Sequence, residues 1–216
     1  MTAGPDGAGA HLAASLEDVL ADPALTVLGV DTPVGLDPEP VAGGRAADLA
    51  ARRALSAGAP PGLRGVGSRV FSAPTAAQLD AWRAGADHAR VNAVHPVGPR
   101  LTLQAFHILA KIADANAIAA RDPRLVEVHP ELSFLALAGE TLPPKRQAAA
   151  RARRAALLAG VGFDVETLTR ALGPARGRWQ GDDLLDACAA CWSADRVARG
   201  LARRFPETGA GPAIHA

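Results

Sequence analysis

Residues 25–35 read LTVLGVDTPVG, and this segment combines an apolar strand with a carboxylate at its end. The run from Leu25 to Val30 is apolar except for one threonine, and it has the length of one β-strand. Such a run is typical of a strand that is covered on both faces in a parallel or mixed sheet. Asp31 follows, before the turn residues Thr32-Pro33-Val34-Gly35. The segment therefore predicts an α/β fold with Asp31 at the edge of its sheet.

Helical patterns fill most of the remaining sequence. Alanine and arginine, both strong helix formers, are abundant, whereas lysine occurs only at Lys111 and Lys145. A second short strand is predicted at Arg124 to Val128, and residues 59–72 read as a loop. Helices are predicted from Ser15 to about Pro23 and at residues 45–55, 75–87, 101–119, 131–137, 145–158 and 183–201. The pattern predicts a helix-dominated α/β protein with few strands.

Length and composition favour one globular domain. The chain has 216 residues, of which 49% are apolar and 21% charged, and we expect a single domain over residues 1–216. Residues 1–10, with turn chemistry at Gly4-Pro5-Asp6-Gly7, are predicted to be disordered, and residues 205–216 to be a flexible tail. The sequence shows no apolar segment of membrane-spanning length, no secretory signal and no disulfide framework. We therefore expect a cytoplasmic protein without membrane contacts.

Charge and aromatic content narrow the classes of function. The formal net charge is +1, so no overall field points to nucleic acid or membrane, although a local patch can still bind phosphate. Aromatic residues make up 4% of the chain and tyrosine is absent, which argues against an extended base-stacking surface. Local groups of polar residues therefore carry the functional prediction.

Asp31 is the first candidate functional residue. A carboxylate at the carboxyl end of a buried strand lies where α/β folds place ligands and metal ions. The structural alternative is that Asp31 only accepts hydrogen bonds in the turn before Pro33. Its position favours the functional interpretation.

A second acidic group begins the last predicted helix. Asp183 and Asp186 are three residues apart and Asp182 and Asp186 four apart, so these carboxylates share a helix face and repel each other. A divalent cation would offset this repulsion, because hard cations prefer carboxylate oxygen. Helix capping explains Asp182 and part of Asp183, but it leaves Asp186 unexplained. Asp186 is therefore the acid of this group for which we predict a function.

The segment Glu127-Val128-His129-Pro130-Glu131 ends the second predicted strand. In strand geometry Glu127 and His129 point to the same face. A glutamate beside a histidine suits a metal pair or an acid–base pair. A satisfied buried ion pair is the structural alternative, because polar groups at strand ends are commonly paired.

Basic residues offer candidate phosphate contacts. Lys111 lies on a polar helix face, which is either a solvated face with a Lys–Asp pair or one that needs a compact ammonium group. Arg45 and Arg52 recur at helical spacing, and the segment from Lys145 to Arg154 carries five positive charges without an acid. These runs are either backbone phosphate contacts or exposed helix faces.

Seven segments follow one another in the order that is typical of a known family. They are GVDTPVGL (29–36), GRAADLAARRAL (44–55), SRVFSAP (68–74), QAFHILAKIADAN (104–116), VEVHPELSF (126–134), PKRQAAARARRAALL (144–158) and DDLLDACAACWSA (182–194). In these segments the chain resembles the family of predicted RNase H-like nucleases called domain of unknown function 429. The resemblance implies a helix-dominated RNase H-like α/β fold with a mixed five-stranded sheet, and metal-dependent cleavage of a phosphodiester bond.

The resemblance also implies roles for individual residues. The catalytic metal ligands would be the carboxylates of Asp31, Glu127, Asp183 and Asp186. These carboxylates would hold one or two Mg²⁺ or Mn²⁺ ions, which activate a water molecule and stabilise charge on the leaving oxygen. The substrate-binding residues would be Arg45, Arg52, Lys111, His129 and Glu131.

The chain departs from the family pattern at its start. Family members open with a stretch like GxDGxxxGW on the first of three antiparallel strands, and nothing like it occurs here. We therefore expect these N-terminal strands, and one acid with them, to be missing or incomplete. Their loss would weaken metal binding and expose an edge of the Leu25–Val30 strand. Three explanations stay open: an upstream start, a second chain that covers the edge as in a homodimer, or a degenerate remnant.

Two functions are compatible with these observations. The first is a divalent-metal-dependent nuclease or phosphodiesterase that is weakened or inactive in this form. The second is a non-catalytic module of the same fold that binds nucleic acid or a phosphate ester. A catalytic site predicts that Asp31, Glu127, Asp183 and Asp186 converge around one cavity. A binding module predicts that they are dispersed and paired with arginine.

Overall fold

The computed structural model describes residues 1–4, 7–95 and 100–216. The helices are α1 (Leu16–Leu20), α2 (Ala46–Ala57), α3 (Ala76–Arg83), α4 (His88–Ala93), α5 (Leu103–His107), α6 (Leu109–Ala119), α7 (Pro130–Ala138), α8 (Ala148–Ala159), α9 (Val165–Leu172) and α10 (Gly181–Ala198). The strands are β1 (Thr2–Gly4), β2 (Gly7–Gly9), β3 (Leu28–Val30), β4 (Leu125–Glu127), β5 (Arg204–Phe205) and β6 (Ile214–His215). The prediction of a helix-rich α/β protein is confirmed.

The strands of the described residues form three two-stranded sheets. β3 and β4 are parallel and pair Val30 with Glu127, whereas the β1–β2 and β5–β6 pairs are antiparallel. One bridge between Val128 and His215 connects the end of β4 with β6. The single five-stranded sheet that the resemblance implies is not seen in the described part of the chain. The observed strands are only two or three residues long, and each of them forms a sheet with a single partner strand.

The central strand is shorter than the apolar run predicts. β3 begins at Leu28, whose N–H donates to the carbonyl of Arg124 over 2.8 Å. The carbonyl of Leu25 instead accepts from the guanidinium of Arg124 over 3.3 Å. The first residues of the apolar run are therefore held by a side chain and not by a neighbouring strand.

One predicted helix ends early and another is divided into two. Within residues 75–87 the helix α3 ends at Arg83, and Gly85 adopts a left-handed φ of 88° before α4, which was not predicted. Residues 101–119 contain α5 and α6, with a break at Ile108 (φ −105°, ψ 9°). The sequence pattern did not predict α9, which starts at Asp164, where the carboxylate accepts from two backbone N–H groups.

The helix predicted from Lys145 begins three residues later, at Ala148. Lys145 therefore lies on a turn between Pro144 and α8, outside helical hydrogen bonding. This shift matters for the candidate site, because a turn residue presents its side chain in a direction that helical spacing does not predict.

Helix α10 lies against the parallel strand pair and two further helices. It packs on β3, α7 and α8, and its buried residues Leu184, Leu185 and Cys188 join a core with Phe134 and Leu158. The hydroxyls of Ser133 on α7 and Ser193 on α10 form a fully buried hydrogen bond of 2.7 Å. These contacts fix the start of α10 relative to the ends of β3 and β4.

Both ends of the described chain carry short strands. Residues 2–4 pair with residues 7–9, whereas the turn predicted at Gly4 to Gly7 includes residues 5–6, which lie outside the described part. Phe205 and Ile214 are buried and belong to β5 and β6, where a flexible tail was predicted. Among the described helices, none combines the length and apolar character that crossing a lipid bilayer requires.

Candidate functional site

The carboxyl ends of β3 and β4 place acidic residues at one edge of the parallel pair. Because Val30 pairs with Glu127, Asp31 and the segment from Glu127 to Glu131 leave the sheet side by side. Asp31, Glu127 and His129 line a shallow cleft, which Asp48 and Val70 close on another side. Parallel strands that are neighbours end at the same edge of a sheet, which brings Asp31 and Glu127 to this edge.

A close approach of β3 to α10 brings a third acid to this edge. Gly29 lies so near α10 that a Cβ atom there would sit 3.0 Å from the carbonyl oxygen of Ala190. Asp186 lies one helical turn before Ala190 and faces Asp31 closely enough that the negative charge of Asp31 raises its pKa. A residue without a side chain at position 29 therefore permits the two carboxylates to share one environment.

Five residues form a group that we call the acid–lysine cluster: Asp31, Glu131, Lys145, Asp182 and Asp186. At its centre the ammonium group of Lys145 donates to Asp186 Oδ2 over 2.6 Å. Burial alone would lower the pKa of Lys145, but the hydrogen bond with Asp186 and the charges of Asp186, Asp182 and Glu131 raise it. Lys145 is thus a charged ammonium surrounded by several carboxylates.

Asp31 and Asp182 are the unpaired acids of the cluster. The side chain of Asp31 is exposed to solvent, accepts no hydrogen bond and forms no ion pair with any other described residue, and within the same described ranges Oδ1 of Asp182 is buried without a partner. Desolvation raises the pKa of Asp31, while the nearby His129 and Lys145 partly oppose this increase. Because Asp31 is exposed, it costs the fold little, but an acid with a raised pKa at a strand end is typical of functional sites.

The side chain of Asp186 is 22% exposed, so it is buried more deeply than that of its partner Lys145. Burial raises its pKa first, the hydrogen bond from Lys145 lowers it, and the charges of Asp31 and Glu131 raise it again. Asp186 was predicted to be functional because helix capping does not explain an acid at that position, and this environment is consistent with that role. Capping does not involve Asp186, since Asp183 and Gln180 form the capping box of the helix.

Glu131 is held in place by two arginines. Arg69 Nη1 and Arg154 Nη2 each donate to one of its carboxylate oxygens, the latter over 2.7 Å. Arg154 is fully buried, stacks on the ring of Phe134 and leaves its Nε without a partner. The exposed-face interpretation of the basic run is therefore wrong for Arg154, because its helix α8 turns this side chain inward.

His129 begins helix α7 beside the cluster. Its Nδ1 accepts from the backbone N–H of Glu131 over 3.3 Å. The neutral ring then carries its proton on Nε2, which makes that nitrogen a donor. His129 contributes to the electrostatic environment of Asp31.

Glu127 belongs to a different group, the buried arginine network of Arg45, Asp48 and Glu127. Arg45 Nη1 and Nη2 donate to Glu127 over 2.8 and 2.6 Å, and Nη2 also donates to Asp48 over 2.7 Å. All three residues are buried. Burial lowers the pKa of Arg45, but the two carboxylates outweigh this effect and raise it above its ordinary value.

Every acid of the buried arginine network has additional backbone donors. Val34 N–H donates to Glu127 over 2.7 Å, and Ala73 N–H donates to Asp48 over 2.8 Å. Arg45 was predicted to bind phosphate, but its position at the start of α2 turns it inward to these acids. The metal-ligand role predicted for Glu127 remains a prediction, whereas its contacts are those of a structural ion pair, the alternative considered for this segment.

The remaining sequence candidates lie outside the acid–lysine cluster. Asp183 is exposed and accepts from Gln180 N–H over 2.7 Å in the capping box. Arg52 donates to the carbonyls of Gly43, before α2, and of Val70, after it. Lys111 is exposed on α6. The functional roles predicted for these three residues remain predictions, and the contacts of Asp183 and Arg52 are structural.

Three residues at this site had no role predicted from the sequence: Lys145 and the two arginines that bind Glu131, Arg69 and Arg154. Arg69 was not considered, and Lys145 and Arg154 were treated only as members of a basic run. One signal was present: the chain has just two lysines, and a lysine retained among many arginines indicates that a compact ammonium matters. That argument was applied to Lys111, although it holds equally for Lys145.

Comparison with known proteins identifies the family. The sequence model of the family described as "Protein of unknown function (DUF429)" matches residues 2–210. The chain therefore belongs to this family, which confirms that part of the resemblance. Neither a curated protein nor a solved structure matches the chain.

Proposed function

We propose that this DUF429 protein is a divalent-metal-dependent phosphodiesterase or nuclease of RNase H-like fold, and that the acid–lysine cluster is its site. The observation that carries the proposal is the environment of Asp31. This carboxylate lies at the end of a buried strand, has no donor among the described residues, and shares its surroundings with Asp186. A fold gains nothing from two such acids side by side, so their arrangement favours a cationic ligand.

The donor set fits Mg²⁺ or Mn²⁺ in a specific way. Within the described ranges, no group of three or more acid, histidine or cysteine side chains is arranged to hold a metal ion unaided. Mg²⁺ commonly uses only one or two carboxylates and completes its coordination with water and substrate phosphate. Asp31 and Asp186 would supply these two carboxylates. When bound, the ion would activate a water molecule and stabilise negative charge on the reacting phosphate.

Other residues of the chain would position the substrate. The protonated Nε2 of His129 is suited to donate to a phosphate oxygen near Asp31. Lys145 carries a positive charge at the same place. Glu131, fixed by Arg69 and Arg154, would accept a hydrogen bond from the attacking water or from a substrate hydroxyl. The substrate class that suits this arrangement is a phosphate diester, either nucleic acid or a smaller ester.

The RNase H-like part of the proposal has its own support. The parallel pair β3–β4 carries its acids at the carboxyl ends, and a long helix with a further acid packs directly on β3. The order of motifs along the chain, from GVDTPVGL to DDLLDACAACWSA, agrees with that interpretation.

A non-catalytic phosphate-binding module is the second candidate. It is favoured by the fate of two predicted ligands, since Glu127 pairs with Arg45 and Asp183 caps α10. This dispersal matches the expectation for a binding module at two of the four acids. The other two acids, Asp31 and Asp186, share one environment, as expected for a catalytic site.

Hydrolysis of bis(4-nitrophenyl) phosphate and of labelled single-stranded DNA and RNA, with Mg²⁺ or Mn²⁺, would test the proposal. We expect cation-dependent cleavage that falls at least about 100-fold in Asp31→Asn and in Asp186→Asn, as loss of a metal ligand requires. Asp195→Asn is the matched control, because Asp195 lies exposed on the same helix and pairs with Arg199. Oligonucleotide binding without any cleavage would instead support the binding module.

A further inference from the structure

Lys145 is held differently from Arg69 and Arg154, the two arginines that bind Glu131 of the cluster. Arg154 is fully buried and Arg69 is largely buried, and both are fixed on Glu131. Lys145 lies on a turn, its side chain is 41% exposed, and a single hydrogen bond to Asp186 holds its ammonium group. A lysine stem of four carbons can carry that ammonium to a second acceptor within the cleft without moving the backbone.

The charges of the cluster are nearly balanced without a metal ion. Four carboxylates face three cations: two arginines bind Glu131, Lys145 binds Asp186, and Asp31 and Asp182 have no partner among the described residues. Addition of a divalent cation would change this small negative excess into a positive one. A phosphate diester, which carries one negative charge, would then restore the balance.

We propose that Lys145 is a mobile counter-ion that neutralises Asp186 until a divalent cation binds and then moves to an oxygen of the substrate phosphate. This inference rests on the proposed function, and it adds that cation and phosphate diester bind cooperatively. The cation displaces the ammonium from Asp186, and the displaced ammonium improves the site for the phosphate. By linkage, each ligand then raises the affinity of the other by the same factor.

A purely structural salt bridge is a poor explanation of this contact. Lys145 is 41% exposed, and ion pairs with an exposed partner contribute little to stability. Asp186 without a cation beside it would also face Asp31 and Glu131 unshielded. Lys145 therefore acts mainly by neutralising negative charge around Asp186 and Asp31, and a bound cation would change that charge.

The test uses the full chain and measures Mn²⁺ binding by electron paramagnetic resonance, with and without dimethyl phosphate. In the wild type we expect dimethyl phosphate to raise the Mn²⁺ affinity at least about 5-fold, the lower end of typical coupling. In Lys145→Met we expect tighter Mn²⁺ binding without dimethyl phosphate and no effect of adding it. Arg121→Met is the control, because it removes an exposed cation whose partner is Glu17, a residue outside the cluster.

The outcomes separate this inference from the function on which it rests. Equal Mn²⁺ affinity and equal coupling in wild type and Lys145→Met would overturn the role of Lys145 and leave the metal site intact. Absence of saturable Mn²⁺ binding in the folded wild type would overturn both. Should Lys145→Met fail to fold, as judged by circular dichroism, Lys145→Gln removes the charge with a polar side chain and carries the same expectations.

Discussion

The buried arginine network and the acid–lysine cluster lie at the same edge of the β3–β4 pair, but their acids differ in how many hydrogen-bond donors they receive. In the network, Glu127 and Asp48 each receive donors from Arg45 and from a backbone N–H group. In the cluster, Asp31 has no partner among the described residues and Asp186 has one donor, Lys145. Burial raises the pKa of Glu127 as well as that of Asp31 and Asp186, so the two groups differ in their donors. One group is satisfied by the fold and the other is not.

The difference teaches how to separate structural acids from functional ones. A carboxylate that stabilises the fold has its oxygens saturated with donors, because an unpaired buried charge is costly. A carboxylate that awaits a ligand keeps oxygens free at some cost in stability. Residue type and position at a strand end do not distinguish the two, since Asp31 and Glu127 end neighbouring strands.

The largest effect is expected from breaking the buried arginine network. Glu127→Gln leaves Arg45 buried with a neutral partner, and removal of one charge from a buried pair costs about 3–5 kcal/mol. The free energy of unfolding from urea titration would measure this loss. Glu140→Gln is the matched control, because Glu140 pairs with Arg153 at the surface and its change should cost no more than about 1 kcal/mol. Equal losses in both variants would contradict a structural role for Glu127.

A smaller loss is expected from separating β3 and α10. Gly29→Ala would place a Cβ atom 3.0 Å from the backbone oxygen of Ala190, so the helix must shift. Overpacking of this kind costs roughly 1–3 kcal/mol. We expect Gly29→Ala also to weaken cation binding, because the shift moves Asp186 away from Asp31. Gly211→Ala, where an added Cβ meets no neighbour, should change neither property. Wild-type stability and binding in Gly29→Ala would contradict the packing argument.

Asp31→Asn is expected to stabilise the ligand-free protein, in contrast to Glu127→Gln. The gain should stay below about 1 kcal/mol near neutral pH, because Asp31 is exposed to solvent, which screens its charge. Because burial raises the pKa of Asp31 in the folded chain, the wild type loses stability as pH rises from the ordinary carboxyl pKa through the raised value. The advantage of the variant should therefore appear above this window and vanish below it. A variant that is less stable than wild type at pH 7 would exclude an unsatisfied Asp31.

The smallest effect is expected at the capping acid. Asp183→Ala removes the acceptor for the N–H of Gln180 and a negative charge from the start of α10, at a cost of about 0.5 kcal/mol. Thermal unfolding would show this small decrease. If Asp183 is only a cap, Mg²⁺ affinity should be unchanged in the variant, and a strong loss of affinity would restore Asp183 to the metal site.

Parts of the fold were predictable because local patterns determine them. A helix does follow Ser15, and strands do form within the apolar run that ends at Val30 and within residues 124–128. The break at Ile108 and the start of α8 at Ala148 were not predictable from helical spacing. Tertiary contacts, such as the bond from Arg124 to Leu25, decide where the regular elements stop.

The site was predictable only in part, for a physical reason. Asp31 and Asp186 were identified from a strand end and from an acid that capping leaves unexplained. The pairing of Arg45 with Glu127 joins residues 82 positions apart, and the pairing of Lys145 with Asp186 joins residues 41 apart. Such long-range contacts decide which acid is saturated, and no local spacing encodes them.

The most direct test of this account is calorimetric titration of Mg²⁺ into the wild type, Asp31→Asn and Asp186→Asn, each first shown to be folded. We predict saturable binding in the wild type that is lost in both variants, while Asp195→Asn binds as the wild type does. Binding that persists in both variants, or a folded wild type that binds no Mg²⁺, would contradict the assignment of the acid–lysine cluster as a cation-dependent site.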